Sequence, residues 1–136
     1  MADGTTVKEA IRDVLIGDTT LMGLMGGPAA PEYNVFYLMP PDPPRFPQIV
    51  FWIGFGSAAP IDRPVLASTG ELNVNVWAKT NVCADIAERV VYLLHHAKDL
   101  GARIVLEREP QELYDDELDA YGLNTVFSLF HRRSVA

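Results

Sequence analysis

Between Gly70 and Leu100 the spacing of apolar residues changes once. In Glu71-Leu72-Asn73-Val74-Asn75-Val76-Trp77 polar and apolar residues alternate, the period of a strand with one buried face. Leu72, Val74 and Val76 fall on that face, and Glu71, Asn73, Asn75 and Trp77 on the other. A few residues on, Val82, Ile86, Val90, Leu93 and Ala97 recur every three or four positions, one stripe of an amphipathic helix. A one-faced strand thus runs into a one-faced helix, and each can bury the other.

The flanking segments repeat these two periods. Thr6-Val7-Lys8-Glu9 has capping-box spacing, and Val7, Ile11, Val14 and Leu15 form the apolar stripe of an N-terminal helix. Asp18 or Thr19 can cap a second short turn carrying Leu21, Leu24 and Met25, which Gly26-Gly27-Pro28 ends. A proline-rich stretch reaches from Pro28 to Pro47 around a strand at Asn34–Met39, which for lack of a proline donor either sits at a sheet edge or ends abruptly there. Within it, Pro40-Pro41-Asp42-Pro43-Pro44 is stiff and extended, read as a rigid connector with a PxxP partner motif as the alternative. Gln48–Phe55 is a strand apolar on both faces, so either helices lie on both sides of it or another subunit covers one.

A link from Gly56 to Thr69 is too long for a tight hairpin and carries Ile61, Val65 and Leu66, residues suited to contact with a neighbour. Thr80 or Asn81 caps the long helix, and Gly101 closes it after His95, His96 and Lys98 at its negative end. A short strand is expected at Arg103–Glu109 with Ile104 and Leu106 on one face, then an acidic link from Pro110 to Ala120. The last strand, Tyr121–Phe130, puts Leu123, Phe127 and Leu129 on one face and Asn124, Val126, Ser128 and Phe130 on the other. The pattern predicts one α+β domain over residues 1–136. Its sheet is mainly antiparallel, four- to five-stranded, and packed with an N-terminal helix and one long helix over residues 80–99.

Composition narrows the function. At 136 residues and 49% hydrophobic the chain suits one ordinary core. A net charge of −7 argues against a general nucleic-acid binder, which needs clustered Lys and Arg. The one cysteine forms no internal disulfide; with no signal peptide read, a reducing cytoplasm is the expected compartment. Cys83 lies on the helix as a buried, inert thiol. No apolar run approaches a bilayer span, so no membrane segment is expected.

Candidate chemistry is sparse. His95 and His96 point about 100° apart on a helix and cannot share a metal ion. The glycines around Gly54 and Gly23 do not make a phosphate loop, and no serine has an evident base. Asp115-Asp116-Glu117 with Asp119 lacks the glycine and the closing glutamate of an EF-hand. A solvated loop or an acidic surface that repels DNA fits these residues better. No catalytic residue, cofactor or metal is assigned. A small ligand-binding or enzymatic domain using His95, His96 and the acidic link is the competing class.

Three local patterns resemble one family. They are Ala10-Ile11-Arg12-Asp13-Val14-Leu15 in the first helix, Phe46-Pro47-Gln48-Ile49-Val50 at a strand start, and Val74-Asn75-Val76-Trp77-Ala78 leading into an amphipathic helix. In order and spacing they are similar to the tail-completion or tail-terminator (head–tail joining) proteins of long-tailed bacteriophages. The proline-rich stretch before Pro47 and the acidic link before Tyr121 depart from the pattern. The resemblance implies a non-enzymatic virion protein: a homo-oligomeric ring, usually of six subunits, that caps the tail tube, stops its polymerisation and joins tail to head. Its implied partners are the tail tube protein and a head connector or stopper protein, with DNA only passing through. Its implied place is the head-proximal end of the tail, after assembly in the host cytoplasm. A head-closure or connector component is the alternative. Subunit contacts are expected at Phe55, Ile61, Arg63 and Leu66 in the first link and at Leu113 and Tyr114 in the second. A DNA-repelling surface is expected at Asp115, Asp116 and Glu117.

Overall fold

The computed structural model describes residues 4–25, 34–39, 46–55, 67–97, 103–117 and 119–132. Helix α1 (Gly4–Ile16) forms where the first apolar stripe predicts it, with Val7, Ile11 and Leu15 fully buried. It stops at Gly17, whose N–H donates to the Asp13 carbonyl at 2.9 Å; a Cβ there would also lie 2.9 Å from that oxygen, so the stop suits glycine. Asp18 then caps helix α2 (Thr19–Leu24), its carboxylate accepting from the Leu21 N–H at 2.8 Å.

Five strands follow: β1 (Val35–Tyr37), β2 (Gln48–Phe55), β3 (Ala67–Ala78), β4 (Arg103–Asp115) and β5 (Ala120–Arg132). Helix α3 (Val82–His96) lies between β3 and β4. The sheet order is β1-β2-β3-β5-β4; β1 runs parallel to β2 and every other pair is antiparallel. The expected fold class stands, with the proline-flanked strand at an edge.

Register explains the core. On β3, Leu72, Val74 and Val76 lie opposite Ile53, Phe51 and Ile49 on one side and opposite Phe127, Thr125 and Leu123 on the other. Because side chains alternate, these make one continuous apolar face. Helix α1 packs on β1 and β2, α3 packs on β3, β4 and β5, and α2 bridges α1 and α3. Phe51 and Phe127, at 0% and 1% exposure, are the largest side chains sealed there, each contributing about 2–3 kcal/mol by burial. The buried stripe of α3 is Cys83, Ile86, Ala87, Val90 and Leu94. It is turned slightly from the expected one, with Val82, Leu93 and Ala97 only partly buried beside it.

Two expectations are corrected. The second link is mostly strand: β4 continues through Pro110 to Asp115, and only residues 116–119 turn back into β5. Register shifts between Leu106 and Arg108 and between Arg108 and Gln111 absorb the proline, which is tolerated because β4 is an edge strand. The first link is also shorter, since β3 begins at Ala67. The glycines and prolines at 26–28, 40–44 and 101 lie outside the described residues. Among the described residues no helix is long and apolar enough to cross a membrane.

Candidate assembly surface

The helices pack on one face of the sheet, and among the described residues no helix packs on the other, open face. The open face carries Trp52 on β2, Asn73, Asn75 and Trp77 on β3, Gly122, Asn124, Val126 and Phe130 on β5, and Val105, Arg108 and Leu113 on β4. A polar ladder crosses it. Arg108 Nη2 donates to Asn124 Oδ1 at 3.0 Å, and Asn124 Nδ2 donates to Asn75 Oδ1. Apolar groups flank the ladder: Phe130 is 43% exposed and Val105 37%, while Val50 and Val126 are nearly closed to solvent. Gln48 is buried on this side with no hydrogen-bond partner for its Oε1. Trp77 lies directly opposite Gly122, and its six-membered ring occupies the space a Cβ on Gly122 would need.

A groove opens on the helix side, where the start of α3 meets the β4–β5 hairpin. Asn81, Cys83 and Ala84 line it from the helix, Glu112, Leu113 and Tyr114 from β4, and Tyr121, Gly122 and Leu123 from β5; its volume is about 680 Å³. Tyr114 and Tyr121 face each other across the strand pair with ring centroids 5.2 Å apart, and each is about half exposed. The Tyr114 hydroxyl donates to Asp119 Oδ1 at 2.7 Å, which pushes the phenol above its ordinary pKa. Asp119 holds a left-handed backbone, φ 49°, which aspartate accepts in a turn. Burial pushes the Cys83 thiol up, and the carboxylates of Glu112 and Asp85 add to it.

The structure thus turns Tyr114 into the groove and Leu113 to the open face beside Gly122, and places Asp115, Asp116 and Glu117 on and next to the hairpin turn. Phe55 closes β2 opposite Gly70, away from that groove. Ile61, Arg63 and Leu66 lie outside the described residues. Sequence reasoning missed Tyr121 as a partner of Tyr114. The signal was two tyrosines flanking an acidic turn, which a hairpin reading would have paired.

His95 and His96 sit at the far end of α3 from the groove, about 20 Å from Cys83 by helical rise. Their rings stand edge to face at 5.0 Å, and His96 lies against Tyr92 at 4.5 Å. The helix therefore separates the imidazoles from the acidic turn. Among the described residues no group of three or more His, Cys, Asp and Glu is placed to hold a metal ion. Behind the surface, Arg89 clamps α3 to the cap of α2: its Nε donates to Asp18 Oδ2 at 2.8 Å and its Nη2 to Oδ1 at 2.9 Å.

No family model matches the chain, and no curated protein matches it. Solved structures do. A chain in the virion of a native gene transfer agent (GTA) particle has a TM-score of 0.68 at 16% identity, covering 93% of this chain and 94% of that one. The bacteriophage SPP1 gp17 protein has a TM-score of 0.55 at 17% identity, covering 98% of this chain and 94% of that one. From end to end, the chain shares its fold with a component of a virion and with a bacteriophage protein.

Proposed function

We propose that this chain is a structural protein of a phage or phage-like particle, a tail-completion ring that caps the tail tube and joins it to the head. The observation that carries this reading is the fold likeness to a virion chain over 93% of this chain and 94% of that one. The open sheet face, with exposed Phe130 and Val105 beside a hydrogen-bonded polar ladder, supports a protein that works by contact with neighbours. The ring is homo-oligomeric and hexameric. One rim meets the tail tube protein, the other meets the head connector or stopper protein, and the role is non-enzymatic. Asp115, Asp116 and Glu117 at the hairpin turn face the DNA path, where carboxylates repel phosphate and let the strand slide.

Deleting the gene and imaging the particles tests this. Overlong or unjoined tails are the expected result. Normal tails with heads that leak DNA would move the protein to head closure, and particles of unchanged form and yield would refute the reading. Changing Asp115, Asp116 and Glu117 together to lysine is expected to slow genome ejection, and unchanged ejection would remove them from the DNA path.

A further inference from the structure

We propose that the tyrosine-walled groove receives the proline-rich segment Pro40–Arg45 of a second copy of this chain, with Arg45 set against Glu112. The proposal rests on the ring reading and names one of its contacts.

The groove has the chemistry such a segment needs. Tyr114 and Tyr121 offer two half-exposed rings with centroids 5.2 Å apart, and the Tyr114 hydroxyl is held by Asp119, so one wall is fixed in advance. Leu123 and Cys83 complete an apolar floor, and Glu112 supplies a charge. Grooves built on aromatic rings take proline-rich strands because the ligand is already extended and loses little entropy on docking. Pro40-Pro41-Asp42-Pro43-Pro44 is the run of this chain whose composition restricts it to that conformation, and Arg45 follows it directly.

Charge favours the same pairing. The groove lies in a field of carboxylates, with Glu112 and Asp85 acting on Cys83 and Asp119 and Asp115 acting on Tyr114. Every charged residue between Glu107 and Asp119 is acidic except Arg108, which is turned to Asn124 on the open face. None of the described residues lining the groove is basic, so a cation arriving beside Glu112 meets no like charge from them.

Topology makes the occupant another copy. The segment joins β1 to β2 at one edge of the sheet, while the groove lies under β5 and β4 at the other edge. At about 4.8 Å per strand this is roughly 14 Å of lateral separation. Its flanks are fixed at the first edge, by the Leu38 N–H bound to the Phe51 carbonyl on one side and by the pairing of Gln48 with Trp77 on the other. A proline-rich segment joined to one border and a socket at the other would make a head-to-tail contact, the kind that closes into a ring when the rotation allows.

The test is fluorescence anisotropy with a labelled peptide of residues 39–46 titrated with the full chain. Saturable binding is expected, weakened at least about tenfold by Tyr114→Ser with Tyr121→Ser and by Glu112→Lys, and unchanged by Phe130→Ser on the open face. Glu112 is exposed, so Glu112→Lys tests the contact even where the double tyrosine variant folds poorly. Restored binding when Glu112→Arg meets a peptide carrying Arg45→Glu would add support. No binding by the unmodified chain, or binding that ignores both groove variants, overturns the proposal. The peptide assay needs no assembled ring, so its failure is separate from failure of the ring reading, which particle images decide.

Discussion

Gly122→Ala is expected to destabilise the protein, although alanine is the better residue almost everywhere else in a strand. The added Cβ would lie 2.7, 2.9 and 3.0 Å from three ring carbons of Trp77. Carbon atoms pack best at about 3.5–4.0 Å, so the ring must retreat by roughly 1 Å. Overpacking of this kind costs about 1–3 kcal/mol, at the lower end here because Trp77 is only half-buried and can tilt. Against this, alanine gains about 0.5–1 kcal/mol over glycine by restricting the unfolded chain. The clash wins, leaving a net loss of about 0.5 kcal/mol. With an m-value of about 2 kcal/mol/M this moves the urea midpoint down by about 0.25 M. The ring is the whole reason for the loss, so in a Trp77→Val background the sign should reverse and Gly122→Ala should raise the midpoint slightly. Urea melts of the four proteins followed by circular dichroism decide it. An equal loss in both backgrounds, or a gain in the presence of Trp77, would refute the packing argument.

Asp18→Ala removes a helix cap and one half of the clamp to Arg89, and should cost about 1–2 kcal/mol in urea melts. Asp18→Asn keeps the cap and should lose less. Hydrogen bonds from Arg89, and from the Leu21 N–H, hold the Asp18 carboxyl below the ordinary carboxylate value despite burial. Its folded pKa is depressed, so its contribution is complete above the unfolded value of about 3.9 and is lost as pH falls through the folded one. The stability gap between the native protein and Asp18→Asn should therefore narrow below about pH 4. Gln48→Met removes the buried oxygen without a partner while keeping the shape, and should raise stability by about 1 kcal/mol in thermal melts. Leu38, 60% exposed, holds φ 74° in a tight turn closed by Met39 N–H to the Tyr37 carbonyl. Leu38→Gly should stabilise by about 0.5–1 kcal/mol, measured in the same way.

The faces of the fold were legible wherever a period ran unbroken. Leu72, Val74 and Val76 on β3, Leu123, Phe127 and Leu129 on β5, and Val7, Ile11 and Leu15 on α1 are buried or partly buried as their spacing required. Legibility failed at Pro110. A proline in a charged run reads locally as the end of a strand, and only the position of β4 at the sheet edge allows the ladder to skip around it. The Tyr114–Tyr121 wall was hidden for the same reason, because hairpin register depends on where the turn falls. The parallel pairing of β1 with β2 was hidden too, since strand direction is set by tertiary packing and not by alternation. Leu113 and Tyr114 were chosen together as apolar residues in an acidic context, but strand alternation turns them to opposite faces, Leu113 beside Gly122 and Tyr114 beside Tyr121.

The two borders of the sheet are unlike and both are poor templates. One is the three-residue strand β1, and the other, β4, is shifted in register twice around a proline and crowded with carboxylates. An uninterrupted backbone edge invites identical chains to stack without limit, and neither border offers one. Recognition between copies of this chain by strand addition is therefore disfavoured, and a contact made through side chains, unlike a stacked backbone edge, can saturate.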